Sequence, residues 1–456
     1  MAESKPVLIA GGGIGGLAVA LGLAQKGIRS ILLEKASALG EIGAGIQLGP
    51  NAFHAFDYLG VGEAARNMAV YIDQLRLMDA LTADEITHID LGDAFRARFG
   101  NPYAVVHRGD LHSIFLRACE ADPAITLRSD CDVVGYDQDG TAVVARLKSG
   151  ERVTGRLLIG ADGLRSRIRQ QMVDDGPPRI AGHTTYRSVI PTEQMPEDLR
   201  WNAATLWAGP KCHIVHYPLS GWKVFNLVVT YHNDAPEPVA GKPVSEDEVM
   251  RGFAHVHERA QSIIRHGTNW KLWVLCDRDP TERWIDGRVA LLGDAAHPMY
   301  PIGSNGASQA ILDARVLTRE ILAHGPTQAA LLARSSDYST PPWGDEQQDS
   351  FINACIEVET SLDPHALLFT LHKIEKKFGR DRATERHWGP RPLDLDIIAY
   401  DDVVIDKPEL TLPHPRAFER AFVLIPLAEI APDRVIAGQT PVEGLAKLST
   451  TGIERL

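Results

Sequence analysis

The chain has 456 residues, about three times the commonest domain length, so the sequence predicts two or three hydrophobic cores. Hydrophobic residues make up 44% and charged residues 23% of the composition, which excludes disordered, coiled-coil and collagen-like chains. The formal charge of -12 disfavours binding along a phosphate backbone, so we expect no nucleic-acid partner.

The five cysteines are few for this length and never occur as C-x-x-C, so we expect neither a disulfide framework nor a zinc site. The N-terminus runs from Pro6 directly into Val7–Ala10 and glycines, without the longer apolar core of a signal peptide. No run of about 18 apolar residues occurs, so no membrane span is expected. These features predict a cytoplasmic protein.

The first motif is a strand, a glycine-rich turn, a helix and a second strand within residues 6–35. In the G-x-G-x-x-G turn, Gly11 permits the bend, Gly13 admits a pyrophosphate close to the backbone, and Gly16 lets the helix pack on the strand. The helix N-terminus would hold the phosphates, and Glu34 would accept hydrogen bonds from a ribose diol. This pattern predicts a dinucleotide site for NAD or FAD; an ordinary glycine-rich turn is the alternative.

Two later segments decide between the two cofactors. Residues 153–169 contain Gly160-Ala-Asp162-Gly163, and residues 288–298 contain Gly293-Asp294-Ala-Ala-His-Pro. Together with the N-terminal glycines, these segments resemble the three fingerprints of the flavoprotein aromatic hydroxylases, and the resemblance covers about residues 6–330.

The resemblance implies FAD as cofactor and NADH as its reductant, with no second dinucleotide fold. It places Asp294 on the ribityl chain of FAD and Arg108 on the FAD phosphates. It also implies that Asp162 and Gly163 shape the pyrophosphate site and the approach of the nicotinamide.

A helix is predicted from Gly306 toward Ala323, after a turn of small residues. The exposed N–H groups of Gly306 and Ala307, together with the helix dipole, would stabilise negative charge on the pyrimidine edge of a reduced flavin. A helix cap without ligand is the alternative.

Residues from about 180 to 280 alternate between apolar and polar positions, which predicts a sheet with one face packed and one face open. In the family that this chain resembles, such a sheet covers the aromatic substrate. Residues 41–51, 183–191 and 207–213 resemble the 3-hydroxybenzoate 6-hydroxylases, which make gentisate; the salicylate hydroxylases are the nearest alternative.

The resemblance also places His213 and Tyr217 beside the substrate phenol. The chemistry needs a base for that phenol, because the phenolate is more electron-rich, and an imidazole that titrates near neutrality suits this task. His216 would point to the opposite face of the same strand. The alternative for His213 is an ordinary core histidine.

One segment departs from the 3-hydroxybenzoate enzymes, which have a glutamine in the substrate loop. Here the chain reads Met299-Tyr300-Pro301-Ile302-Gly303-Ser304-Asn305-Gly306, which resembles the phenazine-modifying relatives. This difference concerns the orientation of the substrate more than the binding of flavin.

The last quarter resembles a different family, the 6-hydroxymethyl-7,8-dihydropterin pyrophosphokinases. The resemblance rests on residues 340–344, 389–397, 412–414 and 420–423. Family members begin with a strand, a Gly-Ser-Asn turn and a helix. We interpret the similar Ile302-Gly303-Ser304-Asn305 as a chance match, because the segment before it is a poor strand.

For pyrophosphoryl transfer from ATP, Asp394 and Asp396 would lie on the same side of a strand and bridge two Mg²⁺ ions. Basic side chains suit the phosphates of ATP. The residues predicted to contact phosphate are Arg380, Arg382, Arg391, His414 and Arg420. The residues predicted to form the pterin slot are Thr340, Pro341, Trp343, Asn353, Trp388 and Phe422.

The predicted fold is α/β: a Rossmann-type FAD-binding domain with an inserted β-rich substrate domain, then an α+β ferredoxin-like pterin pyrophosphokinase module without its first strand and helix. The predicted boundaries are 1–180 and 280–333 for the FAD-binding domain, 181–279 for the substrate sheet, and 334–456 for the kinase module. The expected ligands are a small aromatic acid and hydroxymethyldihydropterin, in a monomer or homodimer.

Both modules are short, and no extended linker joins them, which favours a recombination or engineered product over an evolved bifunctional enzyme. Two alternatives remain open. One is a pterin kinase carried by the flavoprotein part, and the other is a catalytically silent fusion that binds ligands.

Overall fold

A computed structural model describes residues 5–40, 45–281, 283–299, 306–324, 338–340, 351–356, 362–377, 380 and 393–455. The chain divides into two compact units, residues 1–331 and 332–456. Within the described ranges, no helix has both the length and the apolar character needed to cross a bilayer.

The first part of the first unit alternates strands and helices. In chain order its elements are β1 (Val7–Ala10), α1 (Ile14–Ala24), β2 (Ser30–Leu33), β3 (Gly45–Leu48), α2 (Pro50–Tyr58), α3 (Gly62–Met68), β4 (Val70–Tyr71), β5 (Gln74–Asp79), β6 (Glu85–Asp90), α4 (Asp93–Phe99), β7 (Ala104–His107), α5 (Arg108–Glu120), β8 (Ile125–Arg128), β9 (Val133–Gln138), β10 (Val143–Leu147), β11 (Arg152–Gly155), β12 (Leu157–Gly160) and α6 (Arg167–Val173).

Long strands and two short helices follow, and the unit ends on a long helix. These elements are β13 (Arg179–Pro191), β14 (Ala203–Gly209), β15 (Cys212–Leu219), β16 (Val224–His232), β17 (Ala240–Pro243), α7 (Glu246–Met250), α8 (Glu258–Arg265), β18 (Thr268–Asp277), β19 (Ile285–Asp286), β20 (Val289–Leu291) and α9 (Gly306–His324).

The dinucleotide part is built on a six-stranded sheet with the order β19-β20-β12-β1-β2-β8. Strands β20, β12, β1, β2 and β8 are parallel, and β1 is buried along its whole length, as expected for a strand covered on both faces. Helices α1, α5 and α9 contribute to the core on one face, and the antiparallel sheet β11-β10-β9 contributes to the core on the other. The predicted strand, glycine turn, helix and strand at the N-terminus are confirmed.

A second sheet of eight strands has the order β17-β18-β13-β16-β15-β14-β5-β6. The predicted strands around His213 and in residues 222–231 are confirmed as β15 and β16. The sheet also includes β5 and β6, which the predicted boundaries assigned to the FAD-binding domain. Strand β5 joins it by parallel pairing with β14, a long-range contact that no local pattern encodes.

The second unit contains β21 (Tyr338–Thr340), β22 (Phe351–Asn353), α10 (Pro364–Lys377), β23 (Ile405–Lys407), β24 (Leu410–Leu412), α11 (Ala421–Ile430), α12 (Pro441–Leu445) and β25 (Glu454–Arg455). Its described part has two small cores, one around Leu412 and one around Leu424. The predicted strand through Asp394 and Asp396 is wrong, because residues 393–400 form no regular element.

The turn between β1 and α1 depends on two glycines that have no room for a side chain. Gly11 has a φ of +106°, and a Cβ atom there would lie 2.3 Å from the Ala161 carbonyl oxygen. A Cβ atom on Gly16 would lie 2.1 Å from the Gly11 carbonyl oxygen. Both neighbours are backbone atoms, so neither clash can be relieved by rotating a side chain.

We expect Gly11→Ala to lower the free energy of unfolding of the first unit by about 2 kcal/mol or more, because it adds a backbone clash to a strained φ. Gly27→Ala is the matched control, since Gly27 has a φ of +69° and nothing within 4 Å of a Cβ atom. We expect about 1 kcal/mol for that variant. Urea unfolding monitored by tryptophan fluorescence measures the free energy of unfolding of both variants. Equal decreases in the two variants would contradict the role of the clash.

An ionic cluster built on two buried arginines joins α6 to the end of β18 and to the Gly293–His297 turn. The Asp175 carboxylate lies 2.7 Å from the Arg169 guanidinium and 2.7 Å from that of Arg278, whose side chains are only 1% and 4% exposed. Arg169 also donates hydrogen bonds to the carbonyl oxygens of Ala296 and Asp279, and Arg278 donates to that of Leu164. The cluster therefore fixes three segments of the dinucleotide part relative to one another.

We expect Asp175→Asn to destabilise the first unit by about 3–5 kcal/mol, because it leaves two buried guanidinium groups without their shared carboxylate. Asp137→Asn removes a carboxylate that pairs with Arg152 at the surface, where both side chains are about half exposed. That control should change the free energy of unfolding by less than about 1 kcal/mol in the same urea titration. A similar effect of the two substitutions would show that the buried cluster does not hold the segments together.

Candidate active site

A cleft of about 750 Å³ opens beside the glycine turn at the carboxyl ends of β1, β2 and β12. Such a position is where open α/β sheets bind their ligands. Predicted cofactor residues that line the cleft are Gly11, Gly13, Glu34, Arg108, Asp162 and Gly163. Gly16 lies in α1 and acts through packing.

Glu34 is fixed at the end of β2 by two backbone N–H groups. Gly12 donates to Oε2 at 2.7 Å, and Ala36 donates to Oε1 at 2.9 Å. The buried His112 on α5 supports the same turn, since its Nε2 lies 2.8 Å from the Gly12 carbonyl oxygen. The carboxylate is therefore held in position at the lip of the cleft, where the sequence predicts a ribose.

Asp162 follows β12 and accepts hydrogen bonds at Oδ2 from the backbone N–H groups of Arg167, at 2.8 Å, and Ile168, at 3.4 Å. Burial raises the pKa of this carboxyl, although these hydrogen bonds oppose the change. Its Oδ1 atom is buried and has no hydrogen-bond partner among the described residues. A buried acceptor without a partner, on a residue that lines a cleft, fits a ligand that brings a hydroxyl or N–H group.

Arg108 and Asp294 are the charged groups predicted to hold the FAD phosphates and ribityl chain. Arg108 begins α5 and lines the cleft. Burial raises the pKa of Asp294, and the positive charges of Arg108 and His297 oppose that change. The two side chains are therefore close enough to interact electrostatically, as a single cofactor site requires.

Asp313 on α9 organises the Gly293–His297 turn, and our sequence prediction assigned it no role. Its Oδ2 accepts a hydrogen bond from the Gly293 N–H at 3.1 Å and lies 2.6 Å from His297 Nε2. Burial lowers the pKa of His297, but the ion pair with Asp313 outweighs burial, so the net change is upward. The sequence signal that could have identified Asp313 is helical spacing, because Asp313 lies two turns after Gly306 on the same helix.

The predicted helix from Gly306 is confirmed as α9, and Gly306 and Ala307 form its first turn. A Cβ atom on Gly306 would lie 3.9 Å from Asp294 Oδ1, so the helix begins beside the predicted ribityl site. Tyr300 and Pro301, the point of departure from the 3-hydroxybenzoate enzymes, lie outside the described residues.

His213 and Tyr217 lie on the same face of β15, and His216 lies on the other, as the strand periodicity predicts. His216 is fully buried and accepts a hydrogen bond from Trp207 Nε1 at 3.1 Å. Burial lowers its pKa to about 3, so it is a neutral core residue at physiological pH.

Burial also lowers the pKa of His213, to about 4, and the neighbouring His183 adds to this effect. Unlike His216, it is only partly buried, and it projects from the face that carries Tyr217. His213 is therefore a neutral imidazole that remains accessible.

Tyr217 is 3% exposed, and burial raises the pKa of its hydroxyl far above the usual value, so it stays protonated. It packs against the start of β3, where a Cβ atom on Gly45 would lie 2.7 Å from the Tyr217 hydroxyl. Asn226 Oδ1 accepts the Gly45 N–H at 2.9 Å. These contacts bring the large sheet against the dinucleotide part at the predicted substrate side.

In the second unit, Asp394 and Asp396 are both exposed, by 38% and 46% of their side chains. Asp396 lies 3.9 Å from His414 Nε2. Burial lowers the pKa of His414, and the negative charge of Asp396 opposes this change. Among the described residues, no group of three or more acidic, histidine or cysteine side chains could hold a metal ion.

Arg380, predicted to contact phosphate, is instead buried in an ion-pair network. Its Nη1 lies 2.5 Å from Glu375 and 2.5 Å from Asp394, and its side chain is 4% exposed. Glu375 also accepts the Leu395 N–H at 2.9 Å. Arg380 therefore neutralises Asp394 within the protein.

The other predicted kinase residues are only partly described. Arg420 lies over the Phe422 ring, 5.8 Å from its centroid. Thr340 pairs with Phe351 between β21 and β22, and Asn353 ends β22. Outside the described residues lie Pro341, Trp343, Arg382, Trp388 and Arg391.

Comparisons with known proteins give two family matches that overlap. Residues 4–337 match the FAD binding domain family. Residues 300–432 match the 7,8-dihydro-6-hydroxymethylpterin-pyrophosphokinase family. The second match includes Ile302–Asn305, so the prediction that this similarity is accidental is wrong.

The relatives are aromatic hydroxylases. A 3-hydroxybenzoate 6-hydroxylase of Aquipseudomonas alcaligenes is 56% identical over 69% of this chain and 80% of its own length. One from Klebsiella oxytoca is 46% identical over 70% of this chain and 81% of its own.

Solved structures agree with these matches. Klebsiella pneumoniae HpxO, complexed with FAD and uric acid, has a TM-score of 0.64 at 25% identity and covers 72% of this chain and 82% of its own. A salicylate hydroxylase substrate complex has a TM-score of 0.61 at 25% identity, over 70% of this chain and 80% of its own.

The glycine turn, the buried acceptor on Asp162 and the charge pair of Arg108 and Asp294 all fit FAD. The predicted cofactor is thus supported by the cleft and by the family. The chain belongs to the FAD-binding family of flavin-dependent aromatic monooxygenases, and it continues into a segment of the pterin pyrophosphokinase family.

Proposed function

We propose that this monooxygenase converts 3-hydroxybenzoate to gentisate, with NADH as the reductant. The observation that carries the proposal is the neutral, accessible His213 on the same sheet face as Tyr217, in a chain 56% identical to a 3-hydroxybenzoate 6-hydroxylase. In the overall reaction, one oxygen atom of O₂ enters the ring and the other leaves as water. NADH and one proton supply the two electrons and the two hydrogens of that water.

Bound FAD, reduced by NADH, would supply the oxygen-activating chemistry. On the protein side, Glu34 would hold the adenosine ribose, Arg108 the pyrophosphate and Asp294 the ribityl chain, while the turn at Asp162 and Gly163 would shape the pyrophosphate site. The Asp313–His297 ion pair would keep the Asp294 turn in place, because it ties that turn to α9.

His213 would take the proton from the substrate phenol at its free imidazole nitrogen. The sequence predicts a base that titrates near neutrality, whereas burial lowers the pKa of His213 to about 4. The imidazole is therefore unprotonated throughout the neutral range but is a weaker base than a free imidazole, so the transfer would depend on its position beside the phenol. Tyr217 stays protonated in its buried position, so its hydroxyl can donate a hydrogen bond that orients the ring.

We expect His213→Gln to reduce gentisate formation by about 10²–10⁴-fold, the usual contribution of a general base, while FAD remains bound. The acid limb of kcat/KM for the unsubstituted enzyme should lie near pH 4 rather than 6.5, since protonation inactivates the base only below the lowered pKa. Product chromatography, NADH absorbance and the visible flavin spectrum provide the measurements.

His88→Gln is a suitable control, because His88 is partly exposed on the edge strand β6. It should leave product formation unchanged. Failure of 3-hydroxybenzoate to stimulate NADH oxidation by the unsubstituted, FAD-loaded chain would refute the proposed substrate. A product other than gentisate, such as one expected of a salicylate hydroxylase, would do the same.

A second candidate function is Mg²⁺-dependent binding of ATP by the second unit, for pyrophosphoryl transfer to a hydroxymethyl-dihydropterin. The observation that favours it is the exposed pair Asp394 and Asp396, with His414 and Arg420 nearby. Carboxylate oxygens are suitable Mg²⁺ ligands, and Asp396 is the freer of the two because Arg380 pairs with Asp394.

We expect Asp396→Asn to abolish Mg²⁺-dependent ATP binding in calorimetry and pterin-dependent AMP release, because it removes a carboxylate ligand for the metal. Asp406→Asn, in the exposed part of β23, should alter neither measurement. ATP binding that persists in Asp396→Asn, or that needs no Mg²⁺, would contradict this second function.

A further inference from the structure

Arg187 on β13 shares the sheet face of His213 and Tyr217. Directly paired residues of neighbouring antiparallel strands point to the same face. One row across β13, β16 and β15 is Thr185, Thr230 and His213. The next rows are Arg187, Val228 and Val215, and then Val189, Asn226 and Tyr217.

The row of Arg187 therefore lies between the row of His213 and the row of Tyr217. His213 and Tyr217 are four residues apart on β15, about 13 Å at the usual strand rise. The arginine side chain starts two strands away from β15, and its guanidinium stacks over Trp273 of β18, the strand on the other side of β13. The cation is nevertheless close enough to Tyr217 to interact with it electrostatically, on the sheet face where an aromatic ring beside His213 would lie.

The guanidinium of Arg187 is not matched by any anion among the described residues. Its Nε atom is buried without a hydrogen-bond partner there, and its Cζ stacks over the Trp273 ring, 5.3 Å from the centroid. Burial lowers the pKa of Arg187, the Tyr217 hydroxyl opposes this, and Arg108 reinforces it. By contrast, the buried Arg169 and Arg278 share the Asp175 carboxylate.

A half-buried cation of this kind is unfavourable unless a ligand supplies the negative charge. The FAD phosphates are not the natural source of that charge, because Arg108 lines the cofactor cleft and Arg187 does not. A planar guanidinium is well suited to bind a carboxylate through two parallel hydrogen bonds.

We propose that Arg187 binds the carboxylate of the aromatic substrate while His213 accepts the proton of its phenol. The assignment rests on the proposed hydroxylase function and predicts a preference for acids over neutral phenols. Two fixed contacts at separate substituents would also decide which ring carbon faces the reactive edge of the flavin.

The test compares 3-hydroxybenzoate with 3-hydroxybenzamide, a neutral analogue of nearly the same shape. Dissociation constants come from the change in flavin absorbance on titration of the FAD-loaded enzyme, and kcat and KM from NADH oxidation. We expect the unsubstituted enzyme to bind the acid more tightly than the amide by about 10- to 100-fold, typical of a charge-assisted hydrogen bond.

Arg187→Met should abolish that preference by weakening the binding of the acid but not of the amide, with FAD content unchanged. Arg187→Lys should retain part of it, because the charge remains but the paired hydrogen bonds do not. Arg179→Met is the matched control on the same strand, since Arg179 is exposed and pairs with Asp277 and Asp279 at the surface. It should leave the preference intact.

An unchanged acid preference in Arg187→Met would overturn the assignment. Loss of FAD from both Arg187→Met and Arg187→Lys would overturn it in favour of a role in the cofactor site. If the unsubstituted enzyme responds to neither ligand, the proposed substrate itself is wrong, and the assignment of Arg187 falls with it.

Discussion

The carboxylate of Asp175, shared by two buried arginines, is the interaction on which the architecture of the first unit depends. It pairs with both Arg169 and Arg278, which in turn hold the backbone carbonyl groups of three separate segments. Those segments include the Asp162 turn and the Gly293–His297 turn, so the predicted cofactor residues that they carry are held by the same cluster. A buried charge cluster of this kind is stable because each guanidinium finds both a counter-ion and carbonyl acceptors.

The two histidines of β15 lie on opposite faces of the large sheet and therefore have different surroundings. His216 faces a core of aromatic side chains and has a hydrogen-bond donor in Trp207, whereas His213 lies on the face that carries Tyr217. Both pKa values are lowered by burial, but only His213 remains partly accessible. Arg187 and Tyr217 on the face of His213 make that side polar in a sheet whose other side is apolar. The proposed substrate side of the sheet is thus defined by strand periodicity and cross-strand pairing together.

Helix α9 lies within both family matches, and its tertiary contacts decide which unit of the structure contains it. Its sequence belongs to both family matches, which overlap over residues 300–337. In the structure its buried residues Ile311, Ala314 and Ile321 are part of the first unit's core, and Asp313 holds the Gly293 turn. The helix is therefore used by the flavin unit, and the second unit, which begins at residue 332, does not contain it.

The sequence by itself determined the glycine turn, the FAD fingerprints, the opposite orientations of His213 and His216, and the change of family in the last quarter. Each of these depends on local periodicity or on a short motif whose geometry is nearly fixed. Tertiary structure alone decided that β5 and β6 join the large sheet, that Asp313 supports the Asp294 turn, and that Arg380 is buried with Glu375 and Asp394. These outcomes could not be predicted locally, because strand pairing and ion-pair partners are set by which distant segments the packed core brings together.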